Sequence, residues 1–358
     1  MKKFFTSIVF AGLAMTASAQ LADGYYRVRN VSTGRYITMY DGYVFKNAAT
    51  GSVNLKALQT LDSWSEVSCH MGSVWYLKGI GGLEYDMYCQ SSSLGAKGNF
   101  YPSILAIGGN YQIYGTYEGF TKYLNDEGNE DGGGFVSIQG NAPDWSFIPL
   151  GDDNYVCIQP ETNADGYYWA TFMSGFPFKL SGGMKAYYVS SVGTDAFNMT
   201  EMGDEIPAKT PVLIRLNGGS ASDNRITILN STSAGAPSGN KLYGNWYSTT
   251  LGGGHREYNL ENDDSYRILG NVNGHLAFVR ATEDRLVLGE FIEHNRGILV
   301  VGAGSADAIE EGASGIQSVN KTEASEKGIF TLTGQKVPEG TTPRPGIYIK
   351  DGKKVIIK

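Results

Sequence analysis

The stretch GYYRVRNVSTGRYIT, residues 24–38, decides the fold, because it has the form of two short strands joined by a polar turn. Residues 32–34, Ser-Thr-Gly, separate two runs rich in aromatic and β-branched residues, and glycine accepts the positive φ of tight turns. Aromatic or apolar residues ten positions apart bracket further turns: Tyr26 and Tyr36, Trp75 and Tyr85, Ile113 and Tyr123, Trp145 and Tyr155. This loose repeat of roughly 40 residues predicts a closed β architecture of repeated units.

The whole chain has the composition of a β protein. Of its 358 residues, 48 are glycine and 12% are aromatic, whereas only 18% are charged. Glycine recurs between short apolar runs, which is typical of strands joined by turns, and few stretches carry enough charge for the outer face of a long helix. We therefore predict an all-β protein of two or three domains.

Residues 20–150 resemble the ricin-type β-trefoil domains that occur in secreted proteins of the Bacteroidota. Residues 24–38 carry this resemblance, together with VWYL at residues 74–77 and DWSFIPL at residues 144–150. The resemblance implies a β-trefoil-like N-terminal domain. Sugar-binding members carry a Gln-x-Trp signature near the end of each repeat, and this tripeptide does not occur in the sequence. The resemblance therefore implies the scaffold and leaves the sugar site open.

Residues 151–305 consist of apolar runs of roughly four to eight residues bounded by Gly, Pro and Asn, which predicts a β-sandwich-like middle domain. Within them, VLI at residues 212–214 is a predicted core strand, and two strands are predicted around the polar turn EHNR at residues 293–296. The segments 166–192 and 205–219 resemble a β domain common in secreted Bacteroidota proteins. That resemblance implies no chemistry.

Residues 1–19 have the three parts of a secretory signal peptide. Lys2 and Lys3 form a positive start, residues 4–15 are apolar and almost uncharged, and Ala17-Ser18-Ala19 is a small-residue cleavage site. A membrane anchor is the alternative, but the apolar stretch is short for a bilayer span. We predict an exported protein that is secreted or lies on the outer cell surface. We also predict no transmembrane helix in the mature chain, because no later apolar run is long enough.

Residues 306–327 are small, polar and charged, which predicts a linker, and residues 328–358 are predicted to form a short C-terminal β hairpin module. Asp351-Gly352 lies between two apolar runs, and both residue types tolerate the positive φ of a hairpin turn. This ending resembles the C-terminal sorting domains of Bacteroidota type IX secretion cargo and implies the type IX machinery as a partner. The alternative is a hairpin that caps the fold, with edge lysines that oppose aggregation. The residues of the sorting-like pattern are Gly346, Tyr348, Gly352, Lys353, Lys354 and Lys358.

The charge of the mature chain argues against nucleic acid as a partner. Without residues 1–19 the chain has 27 Lys and Arg against 36 Asp and Glu, a net charge of −9. No basic stripe occurs before the last few residues, so a polyanion would be repelled on average. The partners that remain are a glycan or an extracellular protein.

Motifs that carry catalysis or hold a cofactor are missing from the sequence. Four widely spaced histidines form no HExxH, and no Gly-x-Ser-x-Gly occurs. Cys69 and His70 are adjacent, and on the expected strand they would point to opposite faces, so we predict no nucleophile pair there. We predict no catalytic residue, no metal site and no cofactor.

The three cysteines, Cys69, Cys89 and Cys157, are widely spaced and form no CxxC pair. One interpretation is a single disulfide between Cys69 and Cys89 in an oxidising compartment. The other is three buried free thiols, because free cysteine packs as a small apolar side chain.

Aromatic residues are the candidates for ligand binding. Exposed Tyr and Trp make flat platforms for sugars or proteins, and alternate residues of a strand face opposite sides of the sheet. Packing between and within sheets is the alternative use of the same side chains. The candidate ligand-binding residues are Trp75, Trp145, Tyr26, Tyr168 and Trp169.

These observations rank three functions. The first is a secreted or cell-surface non-catalytic binding protein, with carbohydrate bound through exposed aromatic rings as one form. The second is a structural or adhesive surface protein with no small-molecule site. The third is an extracellular hydrolase of the glycosidase type, which would need a cleft holding two carboxylates roughly 5–10 Å apart.

Overall fold

The structure of the chain is a computed structural model, in which strands dominate. It describes residues 20–39, 55–90, 92–93, 102–117, 119–126, 134–244, 260–263, 265–287, 289–302, 304–312, 329–331, 346–350 and 353–357. The predicted signal peptide and the predicted linker from residue 313 onward lie outside this part. Within it, α1, Trp64–Cys69, is the one α-helix, and the 3-10 turns are Met71–Ser73, Ala221–Asp223 and Glu283–Arg285. The prediction of an all-β protein is confirmed.

The chain divides into two compact units, with the boundary between Glu311 and Gly312. No helix in the described ranges combines the length and the apolar character that a membrane span needs.

Eleven strands of the first unit form one sheet. They are β1 Gly24–Asn30, β2 Tyr36–Met39, β3 Leu55–Leu61, β4 Trp75–Gly81, β5 Glu84–Cys89, β6 Ser92–Ser93, β7 Ser103–Ile107, β8 Asn110–Tyr117, β9 Phe120–Asp126, β10 Gly134–Gln139 and β11 Trp145–Pro149. The strand–turn–strand prediction for residues 24–38 is confirmed, because β1 and β2 are antiparallel neighbours. Gly34 between them has φ +76°, a conformation that a residue with a side chain rarely adopts.

Six of these strands close into a ring of antiparallel pairs. β1 pairs with both β4 and β11, β11 pairs with β8, β8 with β7, β7 with β5, and β5 with β4. Side chains two positions apart fill the ring, as the period of a strand requires, for example Trp75 with Leu77 and Tyr85 with Met87. The first sheet therefore has a closed interior.

The remaining strands of the first unit follow the ring along the chain. They are β12 Val156–Cys157, β13 Thr162–Ala164, β14 Tyr167–Phe172, β15 Phe178–Leu180, β16 Lys185–Val192, β17 Ala196–Glu201, β18 Glu205–Ile206, β19 Val212–Arg215, β20 Arg225–Ile228, β21 Leu242–Gly244, β22 Leu260–Glu261, β23 Tyr266–Val272, β24 His275–Val279, β25 Phe291–Ile292, β26 Gly297–Val300 and β27 Ala308–Glu311. β12, β20, β15 and β18 form a four-stranded sheet, β22 pairs with β25, and the others form a ten-stranded sheet.

Strand β19 separates two apolar cores in this second part. Val212 and Ile214 pack into one core together with Phe178 of the four-stranded sheet. Leu213 points the other way and packs with Trp169 and other residues of the second core. All three of these β19 residues are fully buried, so the prediction of a core strand at residues 212–214 is confirmed. A strand that is apolar on both faces belongs inside a layered fold.

The predicted strands around residues 293–296 are present but do not pair with each other. β25 pairs with β22, whereas β26 pairs with β21 and β23. The turn between β25 and β26 therefore crosses from one sheet to another. Asn295 within it has φ +60°, in the left-handed region that Asn tolerates better than most residues.

The second unit contains β28 Ile329–Thr331, β29 Gly346–Lys350 and β30 Lys353–Ile357. β29 is antiparallel to both of the other strands, and Lys350 lies opposite Lys353. Antiparallel strands thus lie on both sides of the predicted hairpin turn, and the turn residues themselves lie outside the described part.

Candidate functional site

A buried arginine connects the ring to the residues that follow it. Arg27 in β1 is completely buried, and its guanidinium donates to Asn154 Oδ1 at 2.7 Å, Tyr155 O at 2.8 Å and Ser73 Oγ at 3.0 Å. It also donates to the carbonyl oxygens of Val67 and Ser68 in α1 at 3.3 and 3.2 Å. Burial lowers the pKa of Arg27 to about 10. These bonds fix α1 against β1 and β12.

The short helix α1 is held by its first aromatic residue. The Trp64 ring lies 5.1 Å from the Arg27 guanidinium and packs edge to face against Tyr155 at 5.5 Å. The helix ends at Cys69, and His70 is already extended with ψ 107°. The prediction that Cys69 and His70 share a strand is wrong, so the argument that their side chains face opposite ways does not hold.

The turn after α1 is packed tightly against β2. The amide of Gly72 donates to His70 Nδ1 at 3.1 Å, and Ser73 Oγ donates to the His70 carbonyl at 2.7 Å. A Cβ on Gly72 would collide with the Met39 carbonyl and approach the His70 ring. This turn therefore needs a glycine.

A cleft of about 320 Å³ opens between α1 and the second part of the unit. One wall is α1 with the turn after it, and the other is formed by β12, the end of β14 and the turn between β25 and β26. Glu66 and Glu293 line the cleft with exposed carboxylates, and the buried Phe172 lines it as well. The lining residues are Ser65, Glu66, Cys69, His70, Met71, Cys157, Ile158, Gln159, Phe172, Val287, Glu293, His294, Asn295 and Arg296.

Two amides hold the far wall in place. Asn295 Nδ2 donates to Gln90 Oε1 at 3.0 Å and to the Met173 carbonyl at 2.7 Å. Gln90 Oε1 also accepts from the Gly175 amide at 2.8 Å. Because Gln90 directly follows β5 of the ring, these bonds tie the turn at residues 293–296 to the first sheet.

An arginine joins two carboxylates beside the cleft. Arg296 Nη1 lies 3.3 Å from Glu161 Oε1, and Arg296 Nε donates to Glu293 Oε2 at 2.9 Å. Glu161 Oε1 also accepts from the Thr171 amide and hydroxyl. Burial raises the pKa of Glu161, and the nearby Arg296 opposes that effect without cancelling it. Burial alone would lower the pKa of Arg296, but the two carboxylates raise it above its ordinary value.

A smaller cavity of about 190 Å³ shares this arginine. Glu293 and Arg296 line both cavities, and Glu161 lines only the smaller one. The two spaces therefore meet at a charged wall that offers both donors and acceptors. In the described part of the chain, no three His, Cys, Asp or Glu side chains are arranged to hold a metal ion.

The two cysteines that line the cleft, Cys69 and Cys157, both lie beside Ser68. Ser68 Oγ lies 3.4 Å from Cys157 Sγ and 3.8 Å from Cys69 Sγ. Interaction with the Cys157 thiol lowers the pKa of Cys69, with help from Ser68, Arg27 and Arg296 and against the effect of burial. The same interaction and burial raise the pKa of Cys157.

The third cysteine lies elsewhere. Cys89 is fully buried in the core of the ring, and its Sγ lies 3.5 Å from the Gly72 carbonyl. Burial raises the pKa of its thiol above the usual range. All three cysteines are free thiols in the structure.

Four of the five aromatic residues predicted to bind ligand are core residues. Trp75 and Trp145 are fully buried, and their indole N–H groups donate to the Ile37 and Leu124 carbonyls, each at 3.0 Å. Tyr26 and Trp169 are also buried, so these four rings have no open face for a sugar. Burial of a large ring whose N–H finds a carbonyl acceptor is favourable, which explains their position.

Only Tyr168 among these candidates is exposed, at 39%. It lies beside the exposed Tyr167, and the Arg215 guanidinium lies over the Tyr167 ring, 4.5 Å from its centroid.

Of the sorting-like residues, Gly346 and Tyr348 lie in β29 and Lys353 and Lys354 in β30, whereas residues 352 and 358 lie outside the described part.

The sequence signals for the cleft are weak. Residues 293–296 have only the pattern of a polar turn, and residues 65–71 have only that of a strand region.

Comparison with known proteins finds no relative of this chain: no family model matches it, and no curated protein or solved structure matches it.

Proposed function

We propose that this is a non-catalytic binding protein, secreted or held at the outer cell surface, whose ligand site is the cleft between α1 and residues 293–296. The observation that carries this proposal is the lining of the cleft, which combines the apolar side chains of Met71, Ile158 and Phe172 with the charged groups of Glu293 and Arg296. Binding sites of this kind combine an apolar interior with a few placed polar groups.

The chemistry of the lining fits a small polyhydroxylated ligand, such as the terminal sugar of a glycan. Each sugar hydroxyl both donates and accepts, and the cleft offers carboxylate acceptors from Glu66 and Glu293 and donors from the Arg296 guanidinium and the Gln159 amide. A volume of about 320 Å³ is at the small end of ligand sites, which suits one or two sugar rings. Carbohydrate thus remains the proposed ligand class, although a polar cleft replaces the aromatic platform.

The proposal includes the finer description of the fold. The closed ring of six strands supports a β-trefoil-like domain over residues 20–150, and the double-faced burial of β19 supports a β-sandwich-like domain over residues 151–305. In this view the trefoil-like domain positions α1, and the sandwich-like domain supplies the opposite wall. The sugar site would then lie between domains, away from the Gln-x-Trp positions of lectin-type trefoils.

The two other functions have less support. A purely structural or adhesive role does not require a polar cleft whose wall is fixed by the hydrogen bonds of Asn295 and Arg296. A glycosidase would need a free acid, but Glu161 Oε1 already accepts from Thr171 and contacts Arg296. Glu293 likewise accepts from Arg296. These bonds favour a non-catalytic role for both carboxylates.

Glycan array screening of the mature chain, followed by calorimetric titration of the glycans that bind, tests the proposal. We expect Glu293→Gln to weaken binding roughly tenfold or more, because a charged acceptor is worth about 1.5–3 kcal/mol. Glu84→Gln is the matched control, since Glu84 is an exposed carboxylate of β5 outside the cleft, and it should leave affinity unchanged. Binding to no glycan, or equal affinity of both variants, would favour the structural function.

Export has its own test. The proposed localisation rests on residues 1–19 and on the sorting-like ending at residues 328–358. Fractionation of cells that produce the full chain or a chain ending at residue 327 should show surface or secreted protein only for the full chain. Equal export of both would leave residues 328–358 as a structural module.

A further inference from the structure

Two cysteines that are far apart in sequence meet at the base of the cleft. Cys69 ends α1, and Cys157 ends β12, so they belong to the two sides that Arg27 holds together. Their sulfur atoms both lie beside the Ser68 hydroxyl, at 3.8 and 3.4 Å. Disulfide formation requires the two sulfur atoms to approach to about 2.05 Å, and contact with the same oxygen already places them on the same side of Ser68.

We propose that Cys69 and Cys157 form a redox-active pair that closes to a disulfide between α1 and β12 at the base of the cleft. Their exposure differs in the way such a pair requires. Cys69 is partly exposed in the cleft, whereas Cys157 is almost completely buried. An external reagent therefore reaches Cys69 first, and Cys157 acts as the resolving thiol.

The ionisation of the two thiols supports the same order of events. The neighbouring Cys157 thiol, Ser68 and the charges of Arg27 and Arg296 favour the Cys69 thiolate, which is the reactive form of cysteine. The groups that face this sulfur come from β1, α1, β12 and the turn at residues 293–296. Cys157 keeps its proton until Cys69 has reacted.

The oxidant is a small-molecule disulfide, and the exchange is balanced. The Cys69 thiolate attacks one sulfur of the reagent, forms a mixed disulfide and releases one thiolate. Cys157 then loses its proton to that thiolate and attacks Cys69 Sγ, which forms the protein disulfide and releases the second thiolate. The second thiolate takes from water the proton that Cys69 released when it ionised, so the reagent gains two electrons and ends as two thiols, and the two protein thiols lose two electrons and two protons.

Such a bond would join the two sides of the cleft covalently. Eighty-seven residues lie between the two cysteines in the sequence, so closing this loop restricts the unfolded chain strongly. The expected result is a rise of roughly 10 °C in melting temperature on oxidation. This inference does not depend on which ligand the cleft takes. It replaces the Cys69–Cys89 pairing as the candidate disulfide, because Cys89 lies in the ring core.

Mass spectrometry of the purified mature chain tests the pair. The protein is reduced with dithiothreitol, freed of reductant, incubated with glutathione disulfide, blocked with N-ethylmaleimide and digested without reduction. We expect a peptide pair that joins Cys69 to Cys157 and has lost two hydrogens. Cys157→Ala should stop at a stable glutathione adduct on Cys69, and Cys89→Ala, the control, should keep the Cys69–Cys157 link.

Three results would overturn the proposal: a link through Cys89, a lasting glutathione adduct on wild-type Cys69 without a link, or two unreacted thiols in the oxidised sample. The wild-type digest decides the question even if a variant fails to fold. The readout contains no ligand, so failure of the glycan proposal would leave this result unaffected.

Discussion

At the scale of single residues, burial and charge compete most clearly at Glu161. Its carboxylate contacts Arg296 and accepts two hydrogen bonds from Thr171, yet burial still raises its pKa above the ordinary value of 4.5. The ionised form is therefore less favourable in the folded chain than in the unfolded chain. This residue positions Arg296 and costs some stability at neutral pH.

A pH series with Glu161→Gln tests this competition. A folded pKa above the unfolded value means that the folded chain binds more protons, so the contribution of Glu161 to stability is present near pH 4.5 and lost as the pH rises. We expect the melting temperature of the wild type, relative to the variant, to be higher at pH 4.5 than at pH 7.5. A difference that stays constant, or that is larger at pH 7.5, would contradict the assigned direction.

At the scale of elements, the turn after α1 depends on one glycine. Gly72→Ala would push a Cβ into the Met39 carbonyl, a backbone atom that cannot move without shifting β2. We expect a loss of about 2–4 kcal/mol in the free energy of unfolding, measured by urea denaturation. Gly203→Ala is the control, because a Cβ there would meet no atom within 4 Å, and it should change stability by less than about 1 kcal/mol. Equal losses for both variants would show that the close approach at Gly72 is unimportant.

The strands could be predicted from the sequence, whereas the helix and the cleft could not. Glycine turns and alternating apolar residues predict the pairing of β1 with β2 and the core strand β19, because both signals are local. α1 has only six residues, which is too short for a helical periodicity. Ser63 and Glu66 have the spacing of a capping box, but the Ser63 side chain makes no cap hydrogen bond, and four residues alone are a weak helix signal.

The position of aromatic side chains shows the same limit. A period of two predicts that neighbouring strand residues face opposite ways, but it does not state which face is the core. Trp75 and Trp145 face inward because the ring closes around them, a property of the pairing between distant strands. The cleft is likewise assembled from residues 65–71, 157–159, 172 and 287–296, so no local motif could reveal it.

At the scale of the molecule, the first unit contains several cores but is one compact body. The ring core, the two cores on either side of β19 and a smaller group around Ile298 are separate apolar clusters. Polar contacts through Arg27 and through Gln90 with Asn295 connect the ring to the rest. The cleft lies between these two connections, so its shape depends on both.

Replacement of Arg27 by methionine tests whether this connection makes the unit cooperative. The methionine side chain would fit a β strand, and the substitution would remove a buried charge, which is favourable by itself. However, Arg27→Met would leave Asn154 Oδ1 and the carbonyls of Ser68 and Tyr155 without the donor that Arg27 supplies, and each buried acceptor left unpaired costs about 1–3 kcal/mol. The lost hydrogen bonds therefore outweigh the gain.

We expect scanning calorimetry of Arg27→Met to show a loss of about 3 kcal/mol and a transition that splits in two, because the ring and the sheets after it each retain a core. Arg280→Met is the control, since Arg280 makes an exposed ion pair with Asp307, and it should keep one transition with a change below about 1 kcal/mol. A single, unshifted transition for Arg27→Met would mean that the apolar contacts between the two parts suffice, and that the arginine only orients α1 at the cleft.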